Sequence, residues 1–169
     1  MSPEGGIRSP ANTKRVALLV RARPSAWTTR TSDSRELRKF AATLSENVGE
    51  AAPFTCLITD DQEMRRLNRD FLGRDYATDV LSFPGGGGRA DLGEIAISFE
   101  RAKAQAEEFG HSCLDEIRVL MLHGFLHLTG LDHERDGGSM ARAEHKWRTA
   151  FGLPSTLIAR SRIRQGARK

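Results

Sequence analysis

The stretch that most limits how this chain can fold is residues 123–133, HGFLHLTGLDH, which holds three of its five histidines. His123 and His127 stand four apart, the spacing that stacks two side chains on one face of an α-helix. Gly130 then permits the backbone to leave the helix with a positive φ, and Leu131 and Asp132 return the chain so that His133 supplies a third nitrogen. Three convergent imidazoles with no cysteine and no obvious fourth protein ligand describe an open, catalytic-type zinc site. Imidazole also admits other transition metals. His111 and His145 fit no such spacing and read as ordinary polar residues.

Around that site the chain has to build a core. Its 169 residues are 38% hydrophobic and 28% charged, ordinary values for one globular domain. The apolar run nearest the start, VALLV (Val16–Val20), is far short of the roughly 20 residues that cross a bilayer, and short of a signal-peptide core. A cytoplasmic protein with no membrane contact is expected. Cys56 and Cys113 lack metal-type spacing and read as buried free thiols.

The net charge of +4 and pI near 9.5 resemble a nucleic-acid signal, but position matters more than the total. Residues 1–30 carry +5 and the chain after Glu144 carries +7, which leaves −8 for residues 31–145. The C-terminal ARSRIRQGARK suits phosphate contact or is simply solvated.

Local patterns give the elements. VALLVRA reads as a strand ending by Pro24. SDSRELRKFAATLSENV sets Leu37, Phe40, Ala41, Leu44 and Val48 at helical spacing, with Ser32 or Asp33 as cap. FTCLIT (Phe54–Thr59) is a second strand; Asp60 caps a helix that carries Met64, Leu67 and Phe71 on one side and closes at Gly73. TDVLSFP is a strand stopped by Pro84. The GGGG run at 85–88 lacks the Lys-Ser/Thr ending of a phosphate loop and reads as a flexible connection. DLGEIAIS is a strand leading to Ser98, the cap of a helix from Phe99 to Phe109 ended by Gly110. Ser112 caps the histidine-bearing helix, with Asp115 and Glu116 in the first turn, where the dipole favours anions. A last helix from Ser139 to Phe151 carries Met140, Ala143 or Glu144, Trp147 and Phe151.

About four strands and five helices without regular alternation predict an α+β fold with the metal site at the end of a central helix. The expected organisation is a flexible N-terminal extension at 1–15, one domain at 16–155 and a basic tail at 156–169.

Gly124 carries a separate signal. Glycine inside a helix costs about 1 kcal/mol against alanine, so something offsets it: either close packing of a neighbouring strand or room for a bulky substrate. It also stands where H-E-x-x-H zinc proteases place their general base, and its presence argues against a protease.

HGFLHLTGLDH resembles more closely the H-G-x-L-H-L-x-G-[YF]-D-H pattern of the YbeY family, bacterial endoribonucleases that mature ribosomal RNA. The LN of RRLNRDFLGRD, TDVLSFP and LGEIAIS match the same family in the same order, so the resemblance covers roughly residues 50–152. It implies a mixed sheet over the metal helix, one zinc ion on His123, His127 and His133, and single-strand-specific cleavage in 16S rRNA 3′ end maturation and ribosome quality control. It further implies ribosomal RNA, a small-subunit ribosomal protein and the GTPase Era as partners. Two positions depart from the pattern. Leu72 stands where many relatives carry an arginine implicated in activity, and Leu131 replaces a common aromatic.

Zinc on three neutral histidines lowers the pKa of water from 15.7 to about 7, so a missing glutamate base does less damage. Arg74 is the candidate for phosphate contact. Asp132 and Glu134 either relay a proton or orient an imidazole, or Asp132 caps the turn and both are solvated. The attacking oxygen is either water or the RNA 2′-hydroxyl. Thr78, Asp79 and Ser82 either line the groove or fix strand ends. Competing readings are a non-catalytic assembly factor with a structural metal and a hydrolase of a small substrate.

Overall fold

Four short apolar runs pair into one sheet: β1 (Val16–Val20), β2 (Phe54–Thr59), β3 (Val80–Pro84) and β4 (Gly93–Ser98), in the order β1-β2-β4-β3. The computed structural model describes residues 16–20, 31–86 and 90–154. β1, β2 and β4 run parallel and β3 is antiparallel on β4, so the sheet is mixed and β3 forms one edge. Five helices complete the α+β domain: α1 (Thr31–Asn47), α2 (Asp61–Leu72), α3 (Phe99–Phe109), α4 (Cys113–Leu128) and α5 (Ser139–Ala150).

Alternation along the strands assigns the helices to faces. Phe54, Cys56, Ile58, Ile95 and Ile97 point into the main core with α1, α3, α4 and α5. Leu81, Ala96 and Phe83 point the other way, onto Met64 and Leu67 of α2. α4 is apolar nearly all round: Ile117, Val119, Leu120, Met121, Leu122, Phe125, Leu126 and Leu128 are all buried, which makes it the central helix.

The caps act where local chemistry places them. Asp60, Ser98 and Ser112 accept from the backbone N–H three residues on, and Gly73 and Gly110 end their helices in the left-handed region. α1 differs: it begins at Thr31, which puts Ser32 and Asp33 inside its first turn rather than at its cap. Part of the glycine-rich run is fixed, since Gly85 N donates to Leu92 O at 2.8 Å. The N-terminal extension 1–15, the segment 21–30 and the basic tail 156–169 lie outside the described residues.

Candidate metal centre

α4 delivers His123 and His127 to its C-terminal end, one turn apart. Thr129 caps the helix, Gly130 turns at φ 96°, and Leu131 N returns to Leu126 O at 3.2 Å. This bend brings His133 back over the helix end. The three ring centroids lie 5.0, 5.4 and 5.6 Å apart, and one nitrogen from each ring falls within 4.8 Å of the others. His123 is buried, His127 half-buried and His133 exposed, so the cluster opens to solvent on one side.

A buried carboxylate braces the inner ring. Glu144 of α5, 1% exposed, has Oε2 2.9 Å from His123 Nδ1, which leaves Nε2 as the ring nitrogen available to a metal. Glu144 Oε1 is buried and has no hydrogen-bond partner among the described residues. Burial, followed by the neighbouring His123 and His133, holds His127 below the ordinary histidine pKa; the neutral ring is the form that binds a metal. Three imidazoles, one of them backed by a carboxylate, suit Zn²⁺ or another borderline transition ion, and the residues present fit such a group.

Gly124 now has one explanation. A Cβ there would meet Ile95 Cγ2 at 2.9 Å, Ser82 Oγ at 3.1 Å and Val80 Cγ2 at 3.1 Å. Two strands press directly on the metal helix, and Ser82 Oγ donates to Gly124 O at 2.9 Å. Thr78 and Asp79 serve the strand end: Asp79 accepts from Val80 N, from Thr78 Oγ1 and from Gln105 Nε2.

The other candidates lie as follows. Asp132 accepts from Glu134 N at 3.1 Å within the turn that leads to α5, and Glu134 is exposed. Arg74 sits on the loop after α2, which packs on the opposite face of the sheet from α4; its side chain has no hydrogen-bond or ion-pair partner among the described residues. Leu72, the last residue of α2, is 49% exposed. Sequence reasoning passed over Glu144 as a site residue. The available signal was a glutamate in line with Met140, Trp147 and Phe151, because an acid on an apolar stripe needs a buried partner. His111, which fits no metal-ligand spacing, stays outside the three-histidine group; its Nε2 is hydrogen-bonded to Glu116, which is completely buried.

The family model described as endoribonuclease YbeY matches residues 26–152. The chain belongs to the YbeY family. An endoribonuclease YbeY of Solibacter usitatus is 50% identical over 94% of this chain and 97% of its own length. Another, from Koribacter versatilis, is 45% identical over 75% of this chain and 83% of its own. The solution structure of TM1509 from Thermotoga maritima shares the YbeY-like fold of this chain with a TM-score of 0.55, at 24% identity over 81% of this chain and 89% of that one. No described helix of this YbeY-family chain is long and apolar enough to cross a membrane.

Proposed function

We propose that this chain is a metal-dependent endoribonuclease that cuts single-stranded RNA, with one Zn²⁺ on His123, His127 and His133 and ribosomal RNA precursors, including the 16S 3′ end, as substrate. The observation that carries the reading is a half-open cluster of three imidazoles, the innermost braced by Glu144, in a chain of the endoribonuclease YbeY family. A structural zinc site is typically closed by four protein ligands, whereas this group offers three and leaves a solvent side.

A divalent ion held there supplies Lewis-acid neutralisation of a phosphoryl oxygen and acidifies water. The chain's own residues do the positioning. Glu144 fixes the His123 ring through Nδ1. Asp132, next to His133, takes or returns a proton, and Arg74 contacts a phosphate of the bound strand. A small-subunit ribosomal protein and an Era-type GTPase are the protein partners that go with this role, and the cytoplasm is its compartment.

The second reading, an assembly factor that binds RNA without cutting it, draws on the exposed Leu72 in place of an arginine. Purified protein of measured metal content, incubated with a small-subunit rRNA precursor beside His127→Ala, separates the two. The nuclease reading expects cleavage by the wild type alone. Folded proteins that both bind RNA and both fail to cut would favour the assembly factor. A 2′-deoxy nucleotide at the scissile position blocks cleavage only if the 2′-hydroxyl is the nucleophile.

A further inference from the structure

The apolar side of α2 does not end in the core. Phe71, in line with the buried Met64, is 66% exposed, and Leu72 and Tyr76 beside it are 49% and 54% exposed. Single exposed apolar residues are ordinary, but three together on the last turn of α2 and the fixed loop that follows it point to recognition. The loop is held from several sides. Arg65 grips Asp75 through two bonds of 2.8 and 2.9 Å, and the buried Asn68 donates to Tyr76 O at 2.9 Å. Gly73 N and Arg74 N return to Arg69 O and Asn68 O, and the Phe71 ring packs edge-on against Phe83 of β3, centroids 5.3 Å apart.

One cation is left over for an anionic occupant. Residues 60–76 carry four arginines against five acids, and Arg65 is paired with Asp75, Arg66 with Glu63 and Asp70, and Arg69 with Asp70. Arg74 has no hydrogen-bond or ion-pair partner among the described residues. The strand that Phe71 meets also packs against the histidine helix. Phe83 adjoins Ser82, whose hydroxyl bonds Gly124 O beside His123, and β3 is an edge strand. A chain passing over that edge touches both faces.

We propose that Phe71 and Tyr76, with Arg74 between them, form a stacking platform for the bases of single-stranded RNA that runs over the outer edge of β3 toward the histidine cluster. The inference rests on the reading of RNA as the substrate. Exposed rings supply sequence-tolerant stacking on base faces, and a free guanidinium supplies the phosphate contact.

Tyr76 is the chain's single tyrosine, so 3-fluorotyrosine labelling gives one ¹⁹F resonance at the platform. The probe is a 2′-O-methyl adenine dodecamer, with an abasic strand of equal length as control. The dodecamer is expected to shift that resonance saturably. Phe71→Leu and Tyr76→Leu, which keep apolar bulk without an aromatic face, are expected to weaken dodecamer binding about tenfold each, while abasic binding and metal content stay unchanged. Dodecamer binding with an unmoved resonance and wild-type affinity in both variants would overturn the platform, leave the RNA reading standing and assign the patch to a protein partner. Failure of the intact chain to bind either strand at low salt would remove the RNA reading and the platform together.

Discussion

The two ends of the histidine helix each set an imidazole against a buried glutamate. At the N-terminal end His111 meets Glu116, and at the C-terminal end His123 meets Glu144; the carboxylates are 0% and 1% exposed. The pairs differ in what the ring has left over. His111 engages Glu116 through Nε2 and joins no group that could hold a metal among the described residues. His123 engages Glu144 through Nδ1, and two further imidazoles stand 5.0 and 5.6 Å from it. A buried histidine–glutamate pair alone ties a loop to a helix. Convergence of further rings beside it turns the same pair into the back wall of a group that could hold a metal ion.

Exchanging the carboxylates for amides breaks this comparison most sharply. Glu144→Gln is expected to weaken Zn²⁺ binding by about 10–100-fold, read by chelator competition, and also to cost the metal-free protein about 1–3 kcal/mol of stability, because buried polar atoms lose their matched partner. Glu116→Gln is expected to share only the second effect: stability falls by about 1–3 kcal/mol for the same reason, and zinc affinity stays at the wild-type value. Equal effects of the two on zinc affinity would erase the distinction between the pairs.

A smaller effect sharpens the site's boundary. Gly124→Ala gains about 1 kcal/mol of helix propensity but drives Cβ into Ile95 and Val80, whose branched side chains yield poorly. A net loss of about 1–2 kcal/mol in chemical denaturation is expected, from overpacking. A stabilised variant would show that β3 and β4 give way. Smallest of all, burial pushes the Cys56 thiol up to about 12 and the Cys113 thiol up to about 11, so neither is an activated thiol. Maleimide at pH 7 is expected to modify the half-buried Cys113 slowly and Cys56 only after unfolding, with zinc retention unaffected.

Much of this was legible locally, because caps and periodicity act over a few residues. Asp60 and Gly73 bound α2, Ser98 and Gly110 bound α3, and H-x3-H-x5-H around Gly130 marked the three rings that come together. What escaped depends on partners distant in sequence. Glu144 meets His123 from 21 residues away. The two explanations of Gly124 were separable only once Ile95 and Val80 had been brought against it by sheet pairing. Phe71 obeys helical periodicity yet stays exposed: its ring meets Phe83 of the edge strand β3 rather than the core. Ser32 and Asp33 have cap chemistry, but α1 begins ahead of both.

The central claim, that the bend after α4 gathers three imidazoles on one ion, is tested most directly by zinc stoichiometry. Protein dialysed against Zn²⁺ and then against metal-free buffer is analysed by elemental mass spectrometry beside His127→Ala and His111→Ala. The account predicts about one zinc per chain in the wild type and in His111→Ala, and loss of affinity on the order of 100-fold, leaving almost none, in His127→Ala. No retained zinc in the folded wild type, or equal retention by His127→Ala, would contradict it.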